Sequence, residues 1–101
     1  MNVKPPEPAS DTLPPASESL ITYPSAFPIK VMGMRVDGFV TAITHIARQF
    51  DPGFDASTIE LRESKGGKYL GVTITVTATS RAMLDELYRT LSTHPMVKVV
   101  L

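Results

Sequence analysis

Residues 69–79, with the sequence YLGVTITVTAT, alternate between apolar and hydroxyl side chains from Val72 onward. A period of two places successive side chains on opposite faces of a β-strand, so the pattern predicts a strand with one buried and one solvated face. Threonine is polar and favours strands, and a threonine row therefore stabilises the strand without exposing apolar surface that promotes aggregation. The apolar set is Leu70, Val72, Ile74, Val76 and Ala78, and the opposite set includes Thr73, Thr75 and Thr77.

The segment that precedes this strand has the pattern of a strand followed by a helix. An alternating apolar set predicts a first strand, which Gly33 ends. Asp37 is a candidate N-cap for the helix, and the Asp-Pro-Gly sequence at 51–53 ends it. The alternating residues of the strand are Phe27, Ile29 and Val31, and those spaced three and four apart in the helix are Phe39 or Val40, Ile43, Ile46, Ala47 and Phe50.

The remaining chain predicts a hairpin, a second helix and a last strand. Residues 58–62 alternate around Ile59 and Leu61, and the turn SKGGK at 64–68 connects them to the threonine strand. Ser80 is predicted to cap the second helix, and a strand from Met96 to Leu101 follows it. The second helix places Leu84, Leu87, Tyr88 and Leu91 on one face. The predicted element order is βαββαβ.

Two βαβ units joined by a hairpin close most simply into a ferredoxin-like α+β sandwich. Such a sandwich has a four-stranded antiparallel sheet in the order 4-1-3-2, with both helices on one face and the other face open. The predicted helix-facing core of the sheet is Phe27, Ile29, Val31, Ile59, Leu61, Leu70, Val72, Ile74, Val76, Val97, Val99 and Leu101. The predicted open face combines the threonines with Lys30, Met32, Glu60, Arg62, Tyr69, Met96, Lys98 and Val100.

The N-terminal segment differs from the rest of the chain in composition. Six of the nine prolines lie within residues 1–24, and large apolar residues are few there. Such a segment buries too little apolar surface to offset the entropy that it loses on ordering. We therefore predict a disordered proline-rich tail over residues 1–22 and one folded domain over residues 23–101.

Composition argues against several classes of protein. The chain has 101 residues, ten basic and ten acidic side chains, and no cysteine. The absence of cysteine excludes disulfides and thiolate metal sites, and the composition is typical of a cytoplasmic protein. No apolar run approaches the roughly 18–20 residues that cross a bilayer. Threonines occupy the positions where an RNA-recognition sheet carries aromatic residues, and the charge is balanced, so we expect no nucleic-acid partner.

Residues with catalytic or metal-binding chemistry are scattered in the sequence. His45 and His94 lack acidic or histidine partners at ligand spacing. Ser64 and Ser80 lack a base at a recognisable spacing, and Ser80 has a role as an N-cap. We therefore predict that the protein is not an enzyme and has neither a cofactor nor a metal site.

Three stretches of the sequence resemble the YbeD-like family of small bacterial proteins. They are YPSAFPIKVMG at residues 23–33, SKGGKYLGVTITVTAT at residues 64–79 and VKVVL at residues 97–101. The resemblance covers residues 23–101 and implies an ACT-like βαββαβ fold, in agreement with the pattern. Proteins of this family carry the label of lipoate-regulatory proteins, which implies a link to lipoate metabolism.

Two functions agree with these predictions. The first is a non-enzymatic regulatory or adaptor domain that contacts a protein partner or a second copy of itself through the open face. Its predicted contact residues are Met32, Met96, Lys98 and Val100. The alternative, implied by the ACT-like resemblance, is a sensor of amino acids or other small carboxylates at the loop between the first strand and the first helix. Its predicted ligand-binding residues are Gly33, Met34, Arg35, Asp37 and Gly38.

Overall fold

The computed structural model describes residues 21–101 and confirms the predicted βαββαβ order. The predicted tail comprises residues 1–22, and residues 1–20 lie outside the described part of the chain. The elements are β1 (Ser25–Met34), α1 (Phe39–Phe50), β2 (Glu60–Glu63), β3 (Tyr69–Ala78), α2 (Arg81–Ser92) and β4 (Val97–Val100). A short 3-10 helix, Ala56–Thr58, precedes β2.

The four strands form one antiparallel sheet in the order β2-β3-β1-β4, which is the predicted order read from the other edge. The central strands β1 and β3 pair along their whole length, from Ser25 opposite Ala78 to Met34 opposite Tyr69. The edge strands β2 and β4 have four residues each. These features confirm the ferredoxin-like fold.

Both helices pack on one face of the sheet, where they form a single core with it. The helical stripes are buried as predicted, at Phe39, Ile43, Ile46 and Ala47 in α1 and at Leu84, Leu87 and Leu91 in α2. The predicted sheet residues that are buried are Ile29, Val31, Leu70, Val72, Ile74 and Val76, while Phe27, Ile59 and Val97 pack half-buried against them. The predicted core position of Leu61 is wrong. It is 57% exposed, because it lies on the short edge strand β2, where all four residues are exposed.

The pairing of β4 with β1 contains a β-bulge at Lys98. Gly33 pairs with Val97 and Met32 pairs with Val99, so one residue of β4 has no partner opposite it. An extra residue reverses the alternation of the side chains that follow it, and the two faces of the strand exchange their residues.

Four predicted positions in or next to β4 are corrected, and the bulge accounts for the three that follow it, Val99, Val100 and Leu101. Val99 and Leu101 are 46% and 65% exposed and lie on the open face, although regular alternation placed them in the core. Leu101 exchanges backbone hydrogen bonds with Lys30, an open-face residue. Val100 and Met96 were predicted for the open face, and both pack against the core instead. The open face is therefore more apolar along β4 than the sequence pattern indicated.

The junction between β1 and α1 also differs from the prediction. Gly33 does not end the strand, because β1 continues to Met34 with Gly33 buried inside it. Asp37 does not cap α1. The N-cap residue is Gly38, whose φ of 87° is in the left-handed region that glycine adopts without strain, and no side chain caps the helix. This conformation turns the chain sharply into α1 at Phe39.

Replacement of Ser80 by alanine is expected to lower the free energy of unfolding by about 1 kcal/mol. The Ser80 hydroxyl accepts a hydrogen bond from the Met83 amide (3.0 Å) and thus satisfies a backbone donor in the first turn of α2. Urea unfolding measures the change. The control is Ser92→Ala, because Ser92 is an exposed serine at the other end of the same helix. An equal loss in both variants would contradict the capping role.

Candidate functional site

A small cleft, which we call the central cleft, lies in the middle of the open face. Its volume is about 190 Å³. Gly71 forms its floor, since this residue lies between Met32 on β1 and Arg62 on β2 in the strand register. The walls are formed by Lys30, Met32, Arg62, Glu63, Ser64 and Thr73.

The packing around position 71 does not require a glycine. A Cβ atom added there would lie 3.5 Å from the Arg62 carbonyl oxygen and 4.0 Å from Cγ of Met32, which are ordinary contacts. The positive φ angles of the described glycines are at Gly38 and Gly67, so backbone conformation does not require glycine at position 71 either. The consequence of Gly71 is the open space above it, which a larger side chain would fill.

The polar groups of the central cleft are mainly hydrogen-bond donors. Among residues 21–101, neither Lys30 nor Arg62 has an ion-pair partner. The Ser64 hydroxyl accepts a hydrogen bond from the first amide of β3 (3.0 Å), which leaves its own proton to be donated. Glu63 also lines the cleft, and its carboxylate lies 3.9 Å from Nε of Arg35. The balance of charge facing the cleft is therefore positive.

An apolar patch adjoins the central cleft on the side of β4, and it consists of Met32, Tyr69, Val99 and Leu101. The exposed fractions of Tyr69, Val99 and Leu101 are 36%, 46% and 65%. Met32, Tyr69 and Val99 line a second cleft together with Lys98. Met32 also lines the central cleft, so the apolar patch and the donor groups form one continuous surface.

The end of the open face farthest from the hairpin turn is acidic. Asp51, at the end of α1, accepts hydrogen bonds from the Thr77 amide (2.9 Å) and the Gly53 amide (3.1 Å). Asp55 accepts hydrogen bonds from the hydroxyl (2.7 Å) and the amide (2.9 Å) of Ser57, and these bonds hold the pKa of Asp55 below its ordinary value. Both carboxylates are thus engaged locally, and the basic part of the face is the central cleft.

The sequence profile of one protein family matches most of this chain. The family is DUF493, described as a protein of unknown function, and its profile matches residues 18–101. The chain belongs to the DUF493 family. The match confirms the family resemblance that the three sequence stretches indicated.

Curated relatives of this DUF493 protein carry the name UPF0250 protein. One from Leptothrix cholodnii is 66% identical over 87 residues, which are 86% of this chain and 96% of the relative. One from Bordetella pertussis is 60% identical over 87 residues, with the same shares of both chains. One from Ralstonia nicotianae is 57% identical over 94 residues, or 92% of this chain and 97% of the relative. These names state no activity, ligand or partner.

The solution structure of protein HP0495 from H. pylori has the fold of this DUF493 protein. The two chains superpose with a TM-score of 0.67 and 17% sequence identity, over 80% of this chain and 85% of the other. At this level of identity the likeness concerns the fold alone.

The five predicted ligand-binding residues of the DUF493 protein do not converge on one exposed site. Gly33 is buried in β1, and Met34 belongs to the paired part of the sheet. Nε of Arg35 donates a hydrogen bond to a carbonyl oxygen of the hairpin turn (2.6 Å), so the guanidinium holds that turn. Asp37 and Gly38 are exposed at the start of α1. Ligand binding by this loop remains a prediction, with Arg35 already engaged.

Two of the four predicted partner-contact residues lie on the open face of the DUF493 protein. These are Met32 and Lys98, whereas Met96 and Val100 pack against the core. Sequence reasoning missed the exposed apolar residues of β4, because alternation alone does not reveal a bulge. It also missed the central cleft, although an isolated glycine in a strand pattern, here Gly71, often marks a close backbone approach.

The histidines and acidic side chains within residues 21–101 do not assemble into a metal site. No three of them in this range are close enough together to bind a metal ion. His94 accepts a hydrogen bond at Nδ1 from the Met96 amide (3.1 Å), and His45 is exposed on α1. No helix within this range is long and apolar enough to cross a membrane. The open face of this DUF493 protein carries the central cleft and the apolar patch.

Proposed function

We propose that this protein is a non-enzymatic regulatory or adaptor domain that binds a protein partner through the apolar patch on its open face. The observation that supports this most directly is the position of Val99 and Leu101. The bulge at Lys98 turns both side chains away from the core and places them on the same face as Met32. Single exposed apolar residues are common, but a contiguous group with a polar rim is typical of a protein contact.

The face of the sheet, rather than one of its edges, is the proposed contact. A partner strand that added to β4 would meet the bulge at Lys98, which interrupts regular hydrogen bonding. At the other edge, three of the four residues of β2 are charged: Glu60, Arg62 and Glu63. Short, charged edge strands oppose pairing with another chain. Side chains of the open face are then the groups that a partner reaches.

The surroundings of the apolar patch define the chemistry of the partner. Lys98 lies at its rim, and the Lys68 ammonium is 5.7 Å from the centre of the Tyr69 ring. A complementary surface has a few aliphatic or aromatic side chains with acidic residues around them. Met32, at the centre, is flexible enough to adapt to the shape of such side chains.

The setting that we propose is the bacterial cytoplasm, with lipoate metabolism as the pathway to test first. The support for this setting is the resemblance to YbeD-like, lipoate-regulatory proteins. A lipoyl-carrying protein domain is accordingly one partner to titrate directly. Its lipoyl group would bring a hydrocarbon chain to the apolar patch, which is one of the two features that the surface favours.

Replacement of Val99 by glutamine is expected to weaken partner binding by about 10-fold or more, because it adds a polar group to a desolvated contact. Tagged wild-type and variant proteins are used to capture partners from a bacterial lysate. Each enriched protein, and a lipoyl domain, is then purified and titrated by calorimetry. The matched control is Leu61→Gln, because Leu61 is similarly exposed but lies on the edge strand β2, away from the patch.

The proposal requires that Val99→Gln loses the titrated partner and that Leu61→Gln retains it. Wild-type affinity in Val99→Gln would exclude the apolar patch as the contact. An equal loss in both variants would also count against it, since the effect would not depend on the patch. Melting curves of the two variants show whether each has kept its fold.

A further inference from the structure

The central cleft presents donors that residues 21–101 leave without partners. Lys30, Arg62 and Thr73 line it, and their side chains have no hydrogen-bond or ion-pair partner in that part of the chain. The Ser64 hydroxyl accepts a backbone hydrogen bond at 3.0 Å and still has a proton to donate. Four donors around one hollow favour an acceptor as its occupant, and the two cationic donors favour an anion.

Two carboxylates lie near these donors without neutralising them. The Glu63 carboxylate in the wall of the cleft is 3.9 Å from Nε of Arg35. Glu60 lies opposite Thr73 in the register and lines a neighbouring cleft. It forms no ion pair with Lys30 or Arg62 within the described residues. An anion above Gly71 would therefore face two cationic side chains, Lys30 and Arg62, that have no ion-pair partner within residues 21–101.

Gly71 keeps the cleft open at a cost to the strand. A glycine inside a strand lacks side-chain packing and loses more backbone entropy on folding than other residues do. Its neighbours would meet an added Cβ atom only at ordinary contact distances, so they do not impose glycine. A glycine inside a strand often marks a bulge, a tight bend, or the close approach of a ligand or another backbone, and the pairing of β3 with both neighbours is regular at Gly71, without a bulge.

The geometry points to the central cleft as a binding site for a small organic carboxylate. Its carboxylate accepts hydrogen bonds from Arg62, Lys30 and Thr73, and its short alkyl chain lies along the Met32 side chain. The cleft volume of about 190 Å³ equals that of about six water molecules, which suits a ligand of about eight non-hydrogen atoms. For a ligand of this size a Kd on the order of 1 mM is expected. The site is separate from the loop at 33–38 and does not depend on the partner contact proposed above.

Titration of the nitrogen-15-labelled protein, followed by NMR, tests this site with four probes. They are hexanoate, its neutral analogue hexanamide, inorganic phosphate, and glutamate blocked at both ends. Hexanoate is expected to cause saturable chemical-shift changes at the amides of Lys30, Gly71 and Thr73. Hexanamide is expected to leave these amide resonances unchanged. Tighter binding of hexanoate than of blocked glutamate supports a small free carboxylate as the ligand, and the reverse order would overturn that assignment in favour of an acidic side chain of another protein.

Four variants locate the site within the fold. Arg62→Gln and Lys30→Gln are each expected to raise the Kd for hexanoate by about 10-fold. Lys65→Gln is the matched control, because Lys65 is an exposed base of the hairpin turn that does not line the cleft. Gly71→Val fills the hollow and is expected to abolish the shifts while its melting temperature stays at or above that of the wild type.

Three further results would overturn the proposal. The first is equal shifts with hexanoate and hexanamide, which would show an apolar hollow without anion recognition. The second is the same hexanoate affinity in Arg62→Gln and Lys65→Gln. The third is a response to phosphate without one to hexanoate. None of these results would contradict the proposed partner contact, because that contact is tested separately at Val99 with a protein ligand.

Discussion

Alanine at position 33 is expected to lower the free energy of unfolding by about 3 kcal/mol, the upper end of the usual cost of overpacking a core. A Cβ atom on Gly33 would overlap the Met96 carbonyl oxygen and lie 2.8 Å from two carbons of the Phe39 ring. The ring can shift within its rotamer, but the carbonyl belongs to the backbone that leads into β4. Because Gly33 pairs with Val97, relief of the clash requires β4 to move away from β1.

Urea unfolding of the wild type, Gly33→Ala and a control glycine variant measures this effect. The control is Gly66→Ala in the hairpin turn, since an added Cβ atom there would have nothing within 4 Å. We expect the control to stay within about 0.5 kcal/mol of the wild type. Equal stabilities of Gly33→Ala and Gly66→Ala would show that β4 can move away from β1 at little cost in free energy. That result would falsify the close packing of Gly33 against the Met96 carbonyl.

Replacement of Phe39 by alanine is expected to lower the free energy of unfolding by about 3–5 kcal/mol. Phe39 is fully buried and is the first residue of α1, where its ring packs over Gly33. Its removal leaves a cavity at the point where β1, β4 and α1 meet. A loss of this size is comparable with the whole stability of a small domain, which is about 5–15 kcal/mol.

Denaturant titration and proton NMR of the variant measure the loss of stability and of side-chain packing. The matched control is Phe50→Ala, because Phe50 is the last residue of the same helix and is only half-buried. We expect a clearly smaller loss for Phe50→Ala, since less apolar surface returns to water. A loss as large as that of Phe39→Ala would contradict this account, because the cost would then not depend on how deeply the ring is buried.

The local sequence patterns were sufficient to predict the secondary-structure elements and the fold, because each pattern arises from the geometry of a single strand, helix or helix end. The alternation through Ile74 reflects the two faces of a strand, and the spacing of Leu84, Leu87 and Leu91 reflects one face of a helix. Ser80 was identified as an N-cap because its hydroxyl serves a backbone donor three residues away. Once two βαβ units and a hairpin are fixed, few sheet orders remain, and the predicted one is observed.

The candidate site was only partly predictable because it depends on pairs of residues that are distant in the chain. The threonine face was expected to be solvated, and Thr75 and Thr77 are exposed on it. The apolar patch was misplaced, since the bulge at Lys98 exists only in the pairing of β4 with β1. The engagement of Arg35 with the hairpin turn joins residues 32 positions apart, and no local pattern reports such a contact.

The sequence by itself determined the two helices, the four strands and the identity of the buried stripes, because these depend on hydrophobic periods that are written within each segment. Tertiary structure alone decided which side of the sheet each residue of β4 faces, because a strand takes its register from its partner. It also decided that Gly33 lies beneath Phe39 and that Gly71 opens a basic cleft between Met32 and Arg62. The fold therefore follows from periods along the chain, whereas the surface on which a function is proposed follows from the register between strands.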